Sequence, residues 1–463
     1  MDKEQNINLL LETVEDITGD WVLRLLNNRE DHSEPRPVIH LRKWSKHGCS
    51  SKDALSGFSS SRATIKIECD LTHEDGSKQT AEETLVIKVL PTEGLMADFL
   101  IEEKMHHVEV GQYGRFLKTL QTWERKRRGP GNCAIMDELL PPHALAVSTD
   151  KHFTIVMTDL RCQGYQTMDF EIGLTEKQLL ATAKKLGTYH GTGVSFKTVT
   201  GIILEETFHQ CFHVGEGSHA FVKFAFPCFE QIDLTTSRAA TVLTPLPPRS
   251  PSPSGDTAVF LYTPLCLPLI SDLEETRLQM PRFKQDWSQN PEKTELLNKL
   301  KVYEDILVPF VMNSLKPKEP FAAPLHGDLQ SSNIFFKEDS DGETVLLLLQ
   351  LIDWATARYS QGTVDLVYLL NISVDTEIRR RATPRAIEMY FQAFNKALED
   401  LGANISYQRT TFEADLKLAM QLIVIWSIMC NNVFSRSPKL KRRLDAIVTD
   451  VLTNPDIPLP VLQ

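Results

Sequence analysis

The feature that most constrains this chain is a set of polar residues flanking two apolar segments. Asp328 and Asn333 stand five positions apart in Leu325-His326-Gly327-Asp328-Leu329-Gln330-Ser331-Ser332-Asn333-Ile334-Phe335-Phe336. Ile334–Lys337 and Val345–Ile352 read as strands, and Glu338-Asp339-Ser340-Asp341-Gly342 lies between them. The second strand runs into Leu351-Ile352-Asp353-Trp354, and the midpoint of Asn333 and Asp353 falls at 343, beside Asp341-Gly342. Residues equidistant from the turn of an antiparallel hairpin lie opposite one another. We therefore expect Asn333 and Asp353 side by side, with Asp328 close to both. Two such oxygen donors suit Mg²⁺, which fills its remaining positions with water and phosphate oxygens.

Upstream, Thr64–Leu71 and Thr84–Leu90 alternate as strands do and are joined across Asp75-Gly76, a strong hairpin signal. The second of them, Leu85-Val86-Ile87-Lys88-Val89, carries a lysine near its end. A lysine in so apolar a run is costly without an anionic neighbour. Glu109 is the candidate, with Glu102 and Glu103 as rivals by spacing. Ahead of the first strand, Ser56-Gly57-Phe58-Ser59-Ser60-Ser61 has a single glycine. Ser60 and Ser61 can still offer backbone N–H and hydroxyl donors to a phosphate.

These pieces match the parts of a phosphoryl-transfer site. Asp328 would orient and deprotonate an acceptor hydroxyl, Asn333 and Asp353 would hold magnesium, and Lys88, braced by Glu109, would position phosphates. The chain resembles the ecdysteroid-kinase-like and choline-kinase-like small-molecule kinases, relatives of the aminoglycoside phosphotransferases. The resemblance rests on VIKVLP (86–91), EVGQY (109–113), MTDLRCQGY (157–165), Tyr189-His190, HGDLQSSNIFF (326–336) and LIDWATARYSQGTVDLVYLL (351–370), in the family's order. It implies an α+β, bilobal protein-kinase-like fold with a small antiparallel-sheet N-lobe and a large, mainly helical C-lobe. It further implies ATP in the cleft, touched by Met157 and Asp159 at the hinge, and a small-molecule alcohol as phosphate acceptor. Asp365 resembles the family's loop-stabilising aspartate. Two departures stand out: Gln330 replaces a common tryptophan near the acceptor, and Thr158 replaces the usual hinge glutamate. Neither removes a metal ligand or the base.

Along the chain we expect an N-terminal helical extension (1–50), an N-lobe (51–158) and a C-lobe (159–463) carrying a Pro/Ser-rich loop at 240–258. Within these, helices are expected over Asn6–Asn27, Met96–Leu120 (weakened by Gly111 and Gly114) and Thr175–Gly193, and a strand over Phe153–Met157. Leu416–Cys430 is apolar but is interrupted by Lys417 and Gln421 and is too short for a membrane span, so it reads as a buried helix. Five of the nine residues from Pro245 to Pro253 are proline. That excludes helix and central strand and leaves an extended surface loop or, since Ser250 and Ser252 precede prolines, a phosphorylation or docking segment.

A net charge of -11 over 463 residues argues against nucleic acid, which wants a basic face, but not against a nucleotide. The acidic start is unlike a secretory signal, and eight scattered cysteines without a CxxC pair indicate free thiols. We expect a cytoplasmic monomer without membrane contact. Arg125–Arg128 and Lys439, Lys441, Arg442 and Arg443 read as solvated helix surface. His326 is expected to brace its loop and His190 to sit in the core. The alternative to a transferase is a nucleotide-binding pseudokinase or regulatory protein. A protein kinase is disfavoured, because Trp354-Ala355 follow Asp353 in place of Phe-Gly and no Ala-Pro-Glu segment is present. A cationic acceptor would need carboxylates or aromatic faces, and a steroid-like one an apolar slot. Tyr390, Tyr407, Phe412 and Trp426 could serve either.

Overall fold

The computed structural model describes residues 8–28, 38–47, 61–90, 101, 104–213, 287–288, 290–340, 345–434 and 437–461. Strand β1 (Val38–His47) pairs with β2 (Ser61–Thr72), and β2 pairs with β3 (Lys78–Val89) in a register running from Thr72↔Lys78 to Ser61↔Val89. The turn between β2 and β3 is the expected one, with Gly76 at φ +79°, a conformation that glycine adopts without penalty. With β4 (His143–Ser148) and β5 (Phe153–Thr158) these strands form an antiparallel sheet in the order β1-β2-β3-β5-β4. Strand β5 is the expected Phe153–Met157 run with one residue added.

Alternation gives this sheet two faces with different duties. Ile65, Ile67, Leu85, Ile87, Val89 and Val156 face one side and bury Leu9, Leu11, Val14, Trp21 and Val22 of the N-terminal segment. The register puts Arg62, Lys88 and Ile155 together on the other face, with Met157 two residues along. There Ile155 and Met157 join the main core with Met105 and Val108.

The N-terminal helix is shorter than expected. Among the described residues it is α1 (Gly19–Asn27), after a single turn of tighter helix at Val14–Asp16. Thr13 and Thr18 act as caps and begin each segment anew. The stretch before them is pinned to the sheet instead: Leu11 N–H donates to Thr154 Oγ1 at 2.8 Å, and Trp21 Nε1 donates to Leu9 O at 3.0 Å. The second helical region comprises α2 (Met105–Gly111), a wide π turn (Gln112–Phe116) and α3 (Leu117–Arg128), so it ends at Arg128, eight residues beyond Leu120, before the Gly129 cap. Gly111 is required within it, since a Cβ would stand 2.7 Å from Gln210 O.

Beyond β5 the chain becomes mainly helical, completing a bilobal protein-kinase-like α+β fold. Helix α4 (Glu176–Thr200) begins where expected, capped by Thr175, but continues past Gly193. Among the described residues the longer helices after it are α5 (Thr294–Ser314), α6 (Thr363–Ile372), α7 (Thr376–Asp400), α8 (Arg409–Phe434) and α9 (Pro438–Thr453). Helix α8 contains Leu416–Cys430, and its Leu422, Ile423, Val424, Ile425 and Ile428 are buried. Among the described residues no helix is long and apolar enough to cross a membrane. Arg443 overturns one expectation. It is 4% exposed rather than solvated, and its guanidinium donates to the carbonyl oxygens of Phe170, Ile372 and Glu171. The Pro/Ser-rich loop lies outside the described residues.

Two small sheets in this lobe position the loops that matter. Strand β6 (Gln166–Thr167) edges the hairpin of β8 (Ile334–Ser340) and β9 (Val345–Leu351), and β7 (Ala322–Leu325) pairs with β10 (Arg358–Gln361).

Candidate active site

The loop leaving β7 is held through its backbone. Asp365, in the first turn of α6, accepts from the N–H groups of His326 (2.7 Å) and Gly327 (3.0 Å), and Ser373 Oγ donates to Leu329 O. Burial opposes the charge on Asp365, but His190 and His326 outweigh it and hold the carboxyl below the usual range. His190 is fully buried, with Nε2 3.4 Å from Asp365 and Nδ1 2.7 Å from Tyr390 Oη, which matches its expected core role. His326 Nδ1 accepts from Asp328 N–H at 3.2 Å, so Nε2 carries the proton and donates to Ile352 O at 2.9 Å. Gly327 takes φ +86°, where a Cβ would stand 2.2 Å from Thr356 O.

Asp328 is buried at 3% exposure and accepts three hydrogen bonds. Tyr368 Oη donates to Oδ1 at 2.8 Å, while Gln330 Nε2 (2.9 Å) and Asn333 Nδ2 (3.0 Å) donate to Oδ2. Burial pushes the carboxyl up to about 7. Tyr368, Gln330 and Asn333 pull it down, and the charge of Asp353 pushes it further up.

The β8–β9 hairpin pairs Ile334 with Leu351, and Ile352 N–H donates to Asn333 O at 3.1 Å. Asn333 therefore faces Ile352, one residue short of the expected partner. Asp353 comes next with φ +66°, a left-handed conformation uncommon outside glycine. The bend brings its carboxylate to Lys88, whose Nζ donates to Asp353 Oδ1 at 3.2 Å and to both oxygens of Glu109 at 2.7 and 2.8 Å. Glu109, on α2, is the partner of Lys88. Glu102 and Glu103 lie outside the described residues.

Lys88, Glu109 and Asp353 are each 3% exposed or less. Burial opposes ionisation of Asp353, but Lys88 and then Arg62 outweigh it and keep the carboxyl below the ordinary range. Arg62, unforeseen from sequence, stands directly across from Lys88 with Nη2 3.9 Å from Asp353 Oδ2. Asp353 Oδ2 is buried without a hydrogen-bond partner among the described residues, which leaves it open to a cation. Among those residues no group of three or more His, Cys, Asp or Glu side chains could hold a metal on its own. Asn333 and Asp353, two oxygen donors at the open end of one hairpin, fit magnesium, which needs few protein ligands when phosphates are present.

Of the remaining expected residues, Ser61 opens β2 beside Arg62, opposite Val89, and Ser60 lies outside the described residues. Met157 is buried on β5 across from Val86, on the lysine's side of the sheet. Asp159 N–H donates to Thr84 O at 2.8 Å, and its carboxylate holds the Arg161 guanidinium at 2.8 and 2.9 Å.

A narrow, largely apolar slot opens beside Gly327. Its walls are Val364, Val367, Tyr368, Leu422, Ile423 and Trp426, with Arg358 and Asp365 as its charged members. Sequence reasoning named Trp426 but missed Tyr368 and Arg358. Tyr368 was legible, since it follows Asp365 by three residues on one helix and so shares its face.

No curated protein matches the sequence. Similar solved structures include a microcompartment-associated aminopropanol kinase (11% identity, TM-score 0.37, covering 96% of this chain and 100% of that one). Others are a macrolide 2′-phosphotransferase from Brachybacterium faecium (8%, 0.35, 92% and 97%) and an ethanolamine kinase from Plasmodium vivax (10%, 0.36, 90% and 83%). The model of the ecdysteroid kinase-like family matches residues 55–239 and 271–403, well over half of the sequence. The match thus includes Lys88, Glu109, Asp328, Asn333 and Asp353, and the chain belongs to the ecdysteroid kinase-like family.

Proposed function

We propose that this protein is an ATP- and Mg²⁺-dependent phosphotransferase that moves the γ-phosphate to an alcohol group of a small, largely apolar molecule. The observation that carries the reading is the convergence of Lys88, Glu109 and Asp353, from three separate elements, within hydrogen-bond distance in one buried site. Lys88 is braced to meet the α- and β-phosphates, and Asn333 and Asp353 are the residues that would hold magnesium. Bound magnesium would neutralise charge on the phosphate oxygens. Asp328 takes the proton of the acceptor hydroxyl as its oxygen bonds to the γ-phosphorus and the bond to the bridging oxygen of the departing ADP breaks. Little covalent work falls to the protein, so rate comes from positioning and charge.

The slot favours an uncharged apolar acceptor over an amino alcohol. Its one carboxylate, Asp365, is engaged with the loop backbone, and its other charged member is the cation Arg358. An ammonium group would find mostly apolar walls.

The test is transfer from γ-labelled ATP to a panel of neutral sterol-like alcohols, simple aliphatic alcohols and amino alcohols, with Asp328→Ala as control. The wild type should label the neutral apolar members. Asp328→Ala should bind ATP nearly as well and lose transfer by at least about 100-fold. Nucleotide binding without transfer to any member would make the chain a pseudokinase, and full turnover by Asp328→Ala would remove the base.

A further inference from the structure

Resting on the phosphotransferase reading, we infer that Tyr368 is a positioning residue that makes Oδ1 of Asp328 the proton-accepting atom and sets it against the acceptor slot. The argument begins with lone pairs. A carboxylate oxygen offers about two acceptor sites. Oδ2 of Asp328 has both taken, by Gln330 Nε2 and Asn333 Nδ2. Oδ1 receives the Tyr368 hydroxyl at 2.8 Å and, among the described residues, keeps one site open. The ring that carries this hydroxyl is also a wall of the slot, beside Gly327. One side chain therefore touches both the base and the space for the acceptor.

Tyr368 is itself fixed. It is 4% exposed, sits within the buried helix α6, and meets Trp426 edge-on with ring centroids 5.4 Å apart. Its hydroxyl can donate to Oδ1 only if the carboxylate stays in its present rotation. Gln330 and Asn333 enforce the same rotation from the other oxygen. Rotating Asp328 would cost three hydrogen bonds in a dry site, where an unmade bond to a charged group is expensive. The acceptor hydroxyl then finds a single direction of approach, along the face of Tyr368. As its oxygen bonds to phosphorus, its proton passes to Oδ1, and Tyr368 remains a donor throughout.

Gln330 acquires a reason in the same scheme. The tryptophan common at this position could supply one N–H from a much larger ring, whereas glutamine reaches Oδ2 from two residues away. The tyrosine and the glutamine thus clamp the two oxygens from opposite sides.

The experiment compares Tyr368→Phe, Trp426→Leu and Asp328→Asn with wild type, using the panel alcohol that turns over fastest and measuring kcat and both KM values. Phenylalanine keeps the ring and its contact with Trp426, so folding is preserved. We expect Tyr368→Phe to lower kcat by roughly tenfold, with the KM for ATP and for the alcohol each within about twofold of wild type. Trp426→Leu, which alters the wall and the ring packed on Tyr368 but leaves the Tyr368 hydroxyl in place, should raise the KM for the alcohol more than it lowers kcat. If Asp328→Asn is inactive while Tyr368→Phe keeps the wild-type kcat, or changes only the alcohol KM, the positioning role is overturned and the phosphotransferase reading stands. If Asp328→Asn turns over like wild type, both fall together.

Discussion

In the β2–β3 hairpin the two cations of the site are cross-strand partners inside the ladder, so Arg62 and Lys88 project side by side from one face. In the β8–β9 hairpin the oxygen donors lie just outside the ladder. Asn333 precedes the first residue of β8, and Asp353 follows β9 after Ile352. The first hairpin uses the regularity of a strand, in which every second side chain points the same way. The second uses the place where regularity stops, since only a bend at φ +66° turns Asp353 toward Lys88. Charges that must lie parallel come from the ladder, and a carboxylate that must reach back across the cleft comes from its broken end.

The sharpest way to break this contrast is to remove the charge at the broken end. Asp353→Asn retains the size, and asparagine tolerates positive φ, so the bend should survive. Lys88 keeps Glu109 as its partner. The loss should therefore fall on the metal: magnesium-dependent ADP binding, measured by calorimetry, should weaken on the order of 100-fold, equivalent to roughly 2.7 kcal/mol. Unchanged ADP affinity would deny Asp353 the metal role and leave it a structural partner of the two cations.

Arg62 tests the regular hairpin and should matter less. Its contact with Asp353 spans 3.9 Å, and its side chain is 26% exposed, so the pair itself contributes little. Its importance would lie in sharing the face of Lys88, where it can meet phosphate once magnesium occupies Asp353. Arg62→Gln should weaken MgADP binding about three- to tenfold and tighten the binding of magnesium alone, because a competitor for Asp353 Oδ2 is gone. A variant that binds both like wild type would confine Arg62 to the resting site.

The two hairpins also differ in how far they could be read from sequence. Asp75-Gly76 marked the first turn, but the ladder is centred on Asp75, one residue from the register a two-residue turn would give, so Arg62 opposite Lys88 was not to be counted from it. For the second hairpin the symmetry argument brought Asn333 and Asp353 together but missed by one residue, because ladder arithmetic cannot anticipate a left-handed residue at its end. The Lys88–Glu109 pair was legible as a burial problem needing an anion. The slot was not. Val364, Leu422 and Trp426 come from helices whose apolar faces look like any core, and only packing shows which of them border a space. Arg443 failed for a related reason. A basic cluster on a helix looks solvated until carbonyl oxygens from other segments are found converging on one member.

The smallest effect separates folding of the regular hairpin from the chemistry it carries. Gly76 sits at φ +79° with no atom near where a Cβ would go. Alanine there meets no clash and suffers only the strain of a left-handed backbone, about 1–2 kcal/mol. The register does not depend on this residue alone, because twelve cross-strand pairs and the apolar face packed on Trp21 and Val22 also hold it. A slip by one residue would send Lys88 to that apolar face and Ile87 into the cleft, which costs far more than the turn strain. Gly76→Ala should therefore lower the melting temperature by a few degrees, read by thermal denaturation, while MgADP affinity stays within about twofold of wild type. A large loss of nucleotide affinity in a folded Gly76→Ala protein would mean that the turn, and not the ladder, sets the position of Lys88.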